Sequence, residues 1–212
     1  YRQSEMLFQI STAILGENNL SGIDEKKFLN NPNQVGPALL ESGSDEEMVS
    51  WVARRICEIE ALLELLPSIA IFVNSEKEVA VFADLFNSCE ELLKNNIEVT
   101  ACHNGQTVGE EQNVRVFSIE HIKGLEFEAV FFMGVDSLEF EQPDLFDKYL
   151  YVGATRAATY LGLTCKNLVP KKINNLKNYF VPTWNQHKHG INLEQDCEPI
   201  EDKRHGEGTY TY

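Results

Sequence analysis

The chain has 212 residues, 43% of them hydrophobic, and a formal net charge of −15 at pH 7. That length and apolar content support one domain-sized core, or a domain with an appendage. The acidic balance excludes the overall basic footprint of a stand-alone nucleic-acid binder, and no apolar run approaches the roughly 20 residues that a membrane-spanning helix requires.

Taken in chain order, the pattern alternates between the two periodicities of regular structure. Behind an opening Tyr1-Arg2, Met6, Leu7, Ile10, Ile14 and Leu15 recur at helical spacing, and Gly16 closes the run. Residues 17–34 are polar and Asn-rich, and read as loop with one short helix at most. Val35–Leu40 is expected to be a short strand. Ser44 with Glu47 three residues on forms a capping-box signature. It introduces a long amphipathic helix through Leu66, ended by Pro67. A buried strand is expected at Ser68–Val73. A helix from Asn74-Ser75-Glu76 follows, with Val79, Phe82, Ala83 and Phe86 on one face. Ile97–Ala101 is a strand, His103–Gln112 a polar loop, Val114–Ile119 a strand and Ala129–Met133 another. Asp144 is expected to cap a helix reaching about Thr159, ahead of a last strand at Tyr160–Thr164. Strands alternating with helices argue for a mostly parallel α/β sheet with helices on both faces.

The first residues have no basic start followed by an apolar core, so no signal peptide is expected. The chain also lacks an initiator Met and is expected to be a fragment or a processed piece. Five cysteines without a CxxC pair suggest free thiols in a reducing, cytoplasmic setting. Cys102-His103 has no second ligand pair nearby, so zinc is not expected. The Lys166–Lys177 segment holds four lysines and no acid; a solvated helix face is the favoured reading. Glu194–Asp202 carries five acids. Residues 183–212 are therefore expected to be an acidic, partly ordered tail behind a domain at 1–182.

Three stretches carry possible chemistry. Tyr1-Arg2 opens a helix. Ser118 to Glu126 (SIEHIKGLE) places a charged turn against the apolar strand AVFF. Ligands of open α/β sheets lie at the carboxyl ends of the strands, and the turn follows the strand ending near Ile119, so that edge is expected for it. Tyr151 to Ala157 (YVGATRA) puts Arg156 in an otherwise apolar helix. A desolvated guanidinium needs an acceptor, either a local acid such as Asp147 or a phosphate.

Together these stretches resemble the second motor domain of UvrD/Rep/PcrA-like superfamily 1 DNA helicases. YR resembles the family's motif IV, KGLEF followed by VFF its motif V, and YVGATRA its motif VI, in the right order across about residues 1–165. The resemblance implies a RecA-like fold of the P-loop NTPase superfamily. It also implies an ATP site shared with an N-terminal RecA-like domain. Tyr1 would stack on adenine, Arg2 and Arg156 would act as arginine fingers, Glu126 would bind the ribose, and Gly124 would let the backbone approach. For single-stranded DNA it points to Asn74, to Ser118 (where the family usually has Thr) and to His121. The family's His usually stands three residues before the motif V Lys; Glu120 holds that position here, with His121 one later. Phe72 and Phe117 are expected in the core rather than stacked on bases.

Two absences bound the activity. No GxxxxGK[ST] phosphate-binding loop occurs. The chain alone is therefore expected to be inactive, with the Mg²⁺ ligands on the N-terminal motor domain. The large helical insertion of close relatives is replaced by residues 102–113. The expected function is half of an ATP-dependent helicase or translocase. The alternative is an ATP-driven module that remodels a protein partner, such as RNA polymerase.

Overall fold

In the computed structural model the described residues are 3–16, 35–107 and 114–184. Six strands are present among them: β1 (Ala38–Leu40), β2 (Ile69–Val73), β3 (Val99–Cys102), β4 (Val114–Ser118), β5 (Phe127–Phe132) and β6 (Ala157–Thr164). They form one sheet in the order β1-β6-β5-β2-β4-β3, and each of these pairings is parallel. The helices are α1 (Glu5–Ile14), α2 (Asp45–Leu63), α3 (Glu76–Asn87), α4 (Glu90–Lys94), α5 (Val135–Glu141), α6 (Pro143–Ala154) and α7 (Lys171–Asn174).

Alternation along the strands divides the core in two. Ala70 and Phe72 of β2 join Phe117, Val130 and Phe132 on one face, covered by α1, α5, α6 and α7. Ile69, Ile71 and Val73 join Val116, Ala129 and Phe131 on the other, covered by α2, α3 and α4. Both faces of the central strands are buried, as a parallel sheet between helical layers requires. This is the expected fold class. Phe72 and Phe117 are both core residues, 1% and 0% exposed.

Local signals explain several element ends. The Ser44 hydroxyl accepts from the Glu47 N–H at 3.3 Å while the Glu47 carboxylate accepts from the Ser44 N–H at 2.7 Å, so α2 starts in a complete capping box. It ends at Glu64, which turns left-handed (φ 58°) ahead of Pro67. Two expectations need correction. The helix expected through Thr159 stops at Ala154, and β6 begins at Ala157 rather than Tyr160. An apolar run such as AATYLGLT fits either structure by periodicity; its backbone bonds to β5 and β1 make it strand. Short α4 and α5 occupy intervals to which the sequence patterns assign no element.

The Lys166–Lys177 segment is not simply a solvated helix face. Lys166 pairs with Asp45 at 2.9 Å, Lys177 with Glu41 at 2.6 Å, and Lys172 with Asp147. Among the described residues no helix is long and apolar enough to cross a membrane.

Candidate nucleotide and nucleic-acid edges

The segment 119–126 connects β4 to β5, which flank β2 on opposite sides and run parallel to it. The chain must leave the carboxyl end of β4 and return to the amino end of β5. It therefore travels the height of the sheet, roughly 16 Å for a five-residue strand. A 3₁₀ turn at Ile119–His121 begins the crossing, with Ile119 and Ile122 buried against the α1/α6 face. The expectation that the whole Lys-Gly-Leu-Glu turn lies at the carboxyl edge is thus corrected. Ser118 and His121 stand at that edge, whereas Glu126 stands at the amino edge.

Arg156 joins Glu126 there. It occupies the turn between α6 and β6 rather than a helix interior, because its N–H bonds to the Gly153 carbonyl at 3.0 Å. Its own carbonyl accepts from the Phe127 N–H at 2.9 Å, which fixes the turn against the start of β5. The partly buried guanidinium donates to the Val152 carbonyl (3.1 Å), the Leu125 carbonyl (3.2 Å) and the Thr155 hydroxyl (3.3 Å). These acceptors are all neutral, and Asp147, the local acid considered from sequence, is engaged by Lys172 instead. A guanidinium has five N–H donors, so two have no acceptor among the described residues. Gly124 lies on the same approach, exposed and at φ +82°, with nothing within 4 Å of where a Cβ would stand. The Glu126 side chain is exposed. Gln3 donates to the Ala154 carbonyl at 2.9 Å, and the Ser4 N–H to the Ala158 carbonyl at 2.8 Å. The residue pair preceding them, Tyr1 and Arg2, lies outside the described residues.

The second set gathers at the carboxyl ends of β2 and β4. Asn74 follows β2, is 7% exposed, and donates to the Gly134 carbonyl at 3.1 Å. The Gly134 N–H in turn donates to the Thr164 hydroxyl at 3.0 Å, tying three strand ends together. Ser118 is fully buried, and its hydroxyl accepts from the Glu120 N–H at 3.4 Å. His121 is exposed, with Nε2 at 3.9 Å from Glu76. His103 Nδ1 lies 2.8 Å from the other Glu76 oxygen, which also accepts from the Asn104 N–H at 3.1 Å. In this conformation Ser118 presents no side-chain surface and the Asn74 amide is committed to Gly134. Exposed Glu120, His121 and Lys123 offer accessible polar groups after β4.

The structure therefore brings Gly124, Glu126 and Arg156 together, and separates them from Asn74, Ser118 and His121 by the height of the sheet. Sequence reasoning missed Thr155 as a guanidinium partner and Glu76 as the carboxylate between two histidines. The first was legible as Thr next to Arg. The second joins residues from three separate elements, and no spacing announces it. Among the described residues no group of three or more His, Cys, Asp or Glu side chains is arranged to hold a metal.

Comparison with known proteins supplies an independent line. Residues 113–164 match the family model of the UvrD-like helicase C-terminal domain. These residues contain the crossing segment, the Arg156 turn and strands β4 to β6. No curated protein matches the chain. Among solved structures, the C-terminal domain of a possible DNA helicase from Lactobacillus plantarum WCFS1 has the same fold, with a TM-score of 0.63 at 18% identity. That match covers 86% of this chain and 98% of the other.

Proposed function

We propose that the chain, whose residues 113–164 match the UvrD-like helicase C-terminal domain model and whose fold is shared by the C-terminal domain of a possible DNA helicase, is the second motor half of an ATP-dependent superfamily 1 DNA helicase or translocase. ATP would lie between the amino edge of β5 and β6 and an N-terminal RecA-like domain carrying the phosphate-binding loop and the Mg²⁺ ligands. The observation that carries this reading is the Arg156 guanidinium. Among the described residues it is held by neutral acceptors beside an open glycine turn and keeps two donors to spare. A guanidinium so placed is oriented before the ligand arrives, and it offers its charge to a phosphoryl group without first breaking an ion pair.

The roles are carried over from the motif resemblance. Arg156 would stabilise charge on the γ-phosphate, with Arg2 as the second finger and Tyr1 on the adenine. Glu126, exposed at the start of β5, would accept from the ribose hydroxyls, and Gly124 would admit the sugar close to the backbone. Single-stranded DNA would track the opposite edge, over exposed His121, with buried Asn74 and Ser118 shaping that edge from beneath. ATP-driven closure of the two motor domains then moves that edge relative to its partner.

The test restores an N-terminal motor half and measures ATP turnover with and without single-stranded DNA, in the native sequence and in Arg156→Ala. DNA-stimulated turnover that falls about a thousandfold or more in the variant is the expected outcome, the usual weight of an arginine finger. Turnover indifferent to Arg156 would remove it from the site. A second reading, ATP-driven remodelling of a protein partner, draws on Glu76 and Glu120 at the carboxyl edge, because carboxylates there oppose a phosphate backbone. Turnover stimulated by a protein and not by DNA would decide for it.

A further inference from the structure

A cleft of about 610 Å³ opens between α5 and the loop following β6. Two large apolar side chains flank it almost bare: Phe140 is 88% exposed and Leu168 is 78% exposed. Single exposed apolar residues are ordinary; two around one cleft are the pattern of a contact surface. Neither projects from a loose segment. Val135 and Leu138 anchor α5 in the core. The Asp136 carboxylate accepts from three successive backbone N–H groups, Lys166 (2.7 Å), Asn167 (2.8 Å) and Leu168 (3.4 Å), and so pins the loop to α5.

The charge around the cleft selects its occupant. Glu139 and Glu141 line it and have no ion-pair partner among the described residues, against the single cation Lys171. Asp144, exposed in the first helical turn of α6, stands three residues beyond Glu141. Such a rim repels a phosphate backbone. It also disfavours a second copy of a chain whose net charge is −15. We propose that this cleft docks a segment of a partner protein, with large apolar side chains seated between Phe140 and Leu168 and flanking lysines or arginines facing Glu139 and Glu141. The inference stands apart from the nucleotide reading, since the cleft lies at the carboxyl ends of β5 and β6, away from Arg156.

The test uses the whole chain and two synthetic helical peptides. One has leucines at i, i+4 and i+7 with lysine elsewhere, and the other has glutamate in place of each lysine. Fluorescence anisotropy should show the lysine peptide binding at least about tenfold more tightly than the glutamate peptide. Phe140→Ser and Leu168→Ser should each weaken it by a similar factor while leaving the thermal midpoint unchanged, because both side chains already face water. Replacing Glu139 and Glu141 together by lysine should transfer the preference to the glutamate peptide. Absence of binding, equal binding of both peptides, or binding indifferent to the serine substitutions would overturn the proposal. So would sedimentation showing self-association that Phe140→Ser abolishes, since the occupant would then be a second copy.

Discussion

Arg156 is held by three neutral oxygens, and the hydroxyl among them comes from its own neighbour Thr155. The arrangement sets the direction of the guanidinium without neutralising it, which a carboxylate partner would do. Cys165, one residue beyond β6, shows the opposite use of burial. It is fully buried, and desolvation, helped by the negative charge of Asp136, pushes its thiol up from the ordinary 9.0 to about 12. The folded chain therefore keeps this proton where the unfolded chain releases it. The sign follows: an unfolded state that binds fewer protons gains on the native state as pH rises. Stability is expected to fall progressively between about pH 9 and pH 12, and Cys165→Ala should flatten that slope in denaturant titrations at successive pH values. In the folded chain Cys165 should resist alkylation at pH 8, since the thiolate is the nucleophile.

At the scale of elements, the contact of α6 with the sheet determines where Arg156 stands. Gly153 lets the helix lie directly on the sheet: a Cβ there would meet Phe132 Cζ at 2.2 Å and Ile119 Cδ1 at 3.2 Å. Neither neighbour has space to yield, for both are core residues. Overpacking of this kind costs about 1–3 kcal/mol. At roughly 2–4 °C per kcal/mol for a domain this size, Gly153→Ala should lower the thermal midpoint by several degrees. It should also reduce ATP turnover of the restored two-domain protein, because the Arg156 turn moves with α6. An unchanged midpoint would show that α6 can rise off the sheet without cost. Gly162 has the same relation to Phe131, at 2.4 Å across the β5–β6 pair.

Over the whole molecule, the last described segment closes the second core. Trp184, on the tail side of the expected boundary at 182, is 2% exposed and stacks edge-on to Tyr160 at 5.0 Å. Its indole N–H donates to the Gly36 carbonyl at 2.8 Å, and its backbone N–H donates to Glu58 at 2.6 Å. Glu58 is buried and also pairs with Arg55 at 2.9 Å. Trp184→Ala should cost about 3–5 kcal/mol, as large-to-small core substitutions do. Trp184→Phe, which keeps a ring but loses the indole bond, should cost closer to 1 kcal/mol plus imperfect packing. Thermal melts of the two variants separate the ring from the hydrogen bond. Equal small effects would mean that Trp184 covers the core without holding it.

The sequence by itself determined what depends on neighbours along the chain. The capping box at Ser44 and Glu47, the alternating strands and the α/β class were all legible, because helix starts and strand faces are set within a few residues, whereas α2 ends at Leu63, before the stop expected at Pro67. The motif stretches at Ser118–Glu126 and Tyr151–Ala157 were legible for the same reason, and the family model matches across both. Tertiary structure alone decided which of them share an edge. Parallel pairing of β4 and β5 on either side of β2 forces residues 119–126 to span the sheet, so one continuous segment reaches two opposite edges. It also decided that Arg156 stands in a turn, since an apolar run becomes helix or strand according to the partners it finds. Buried Ser118, the Glu76 carboxylate between His103 and His121, and the cleft beside Phe140 belong to the same class. Each is made by elements distant in sequence, and only the closed sheet brings them together.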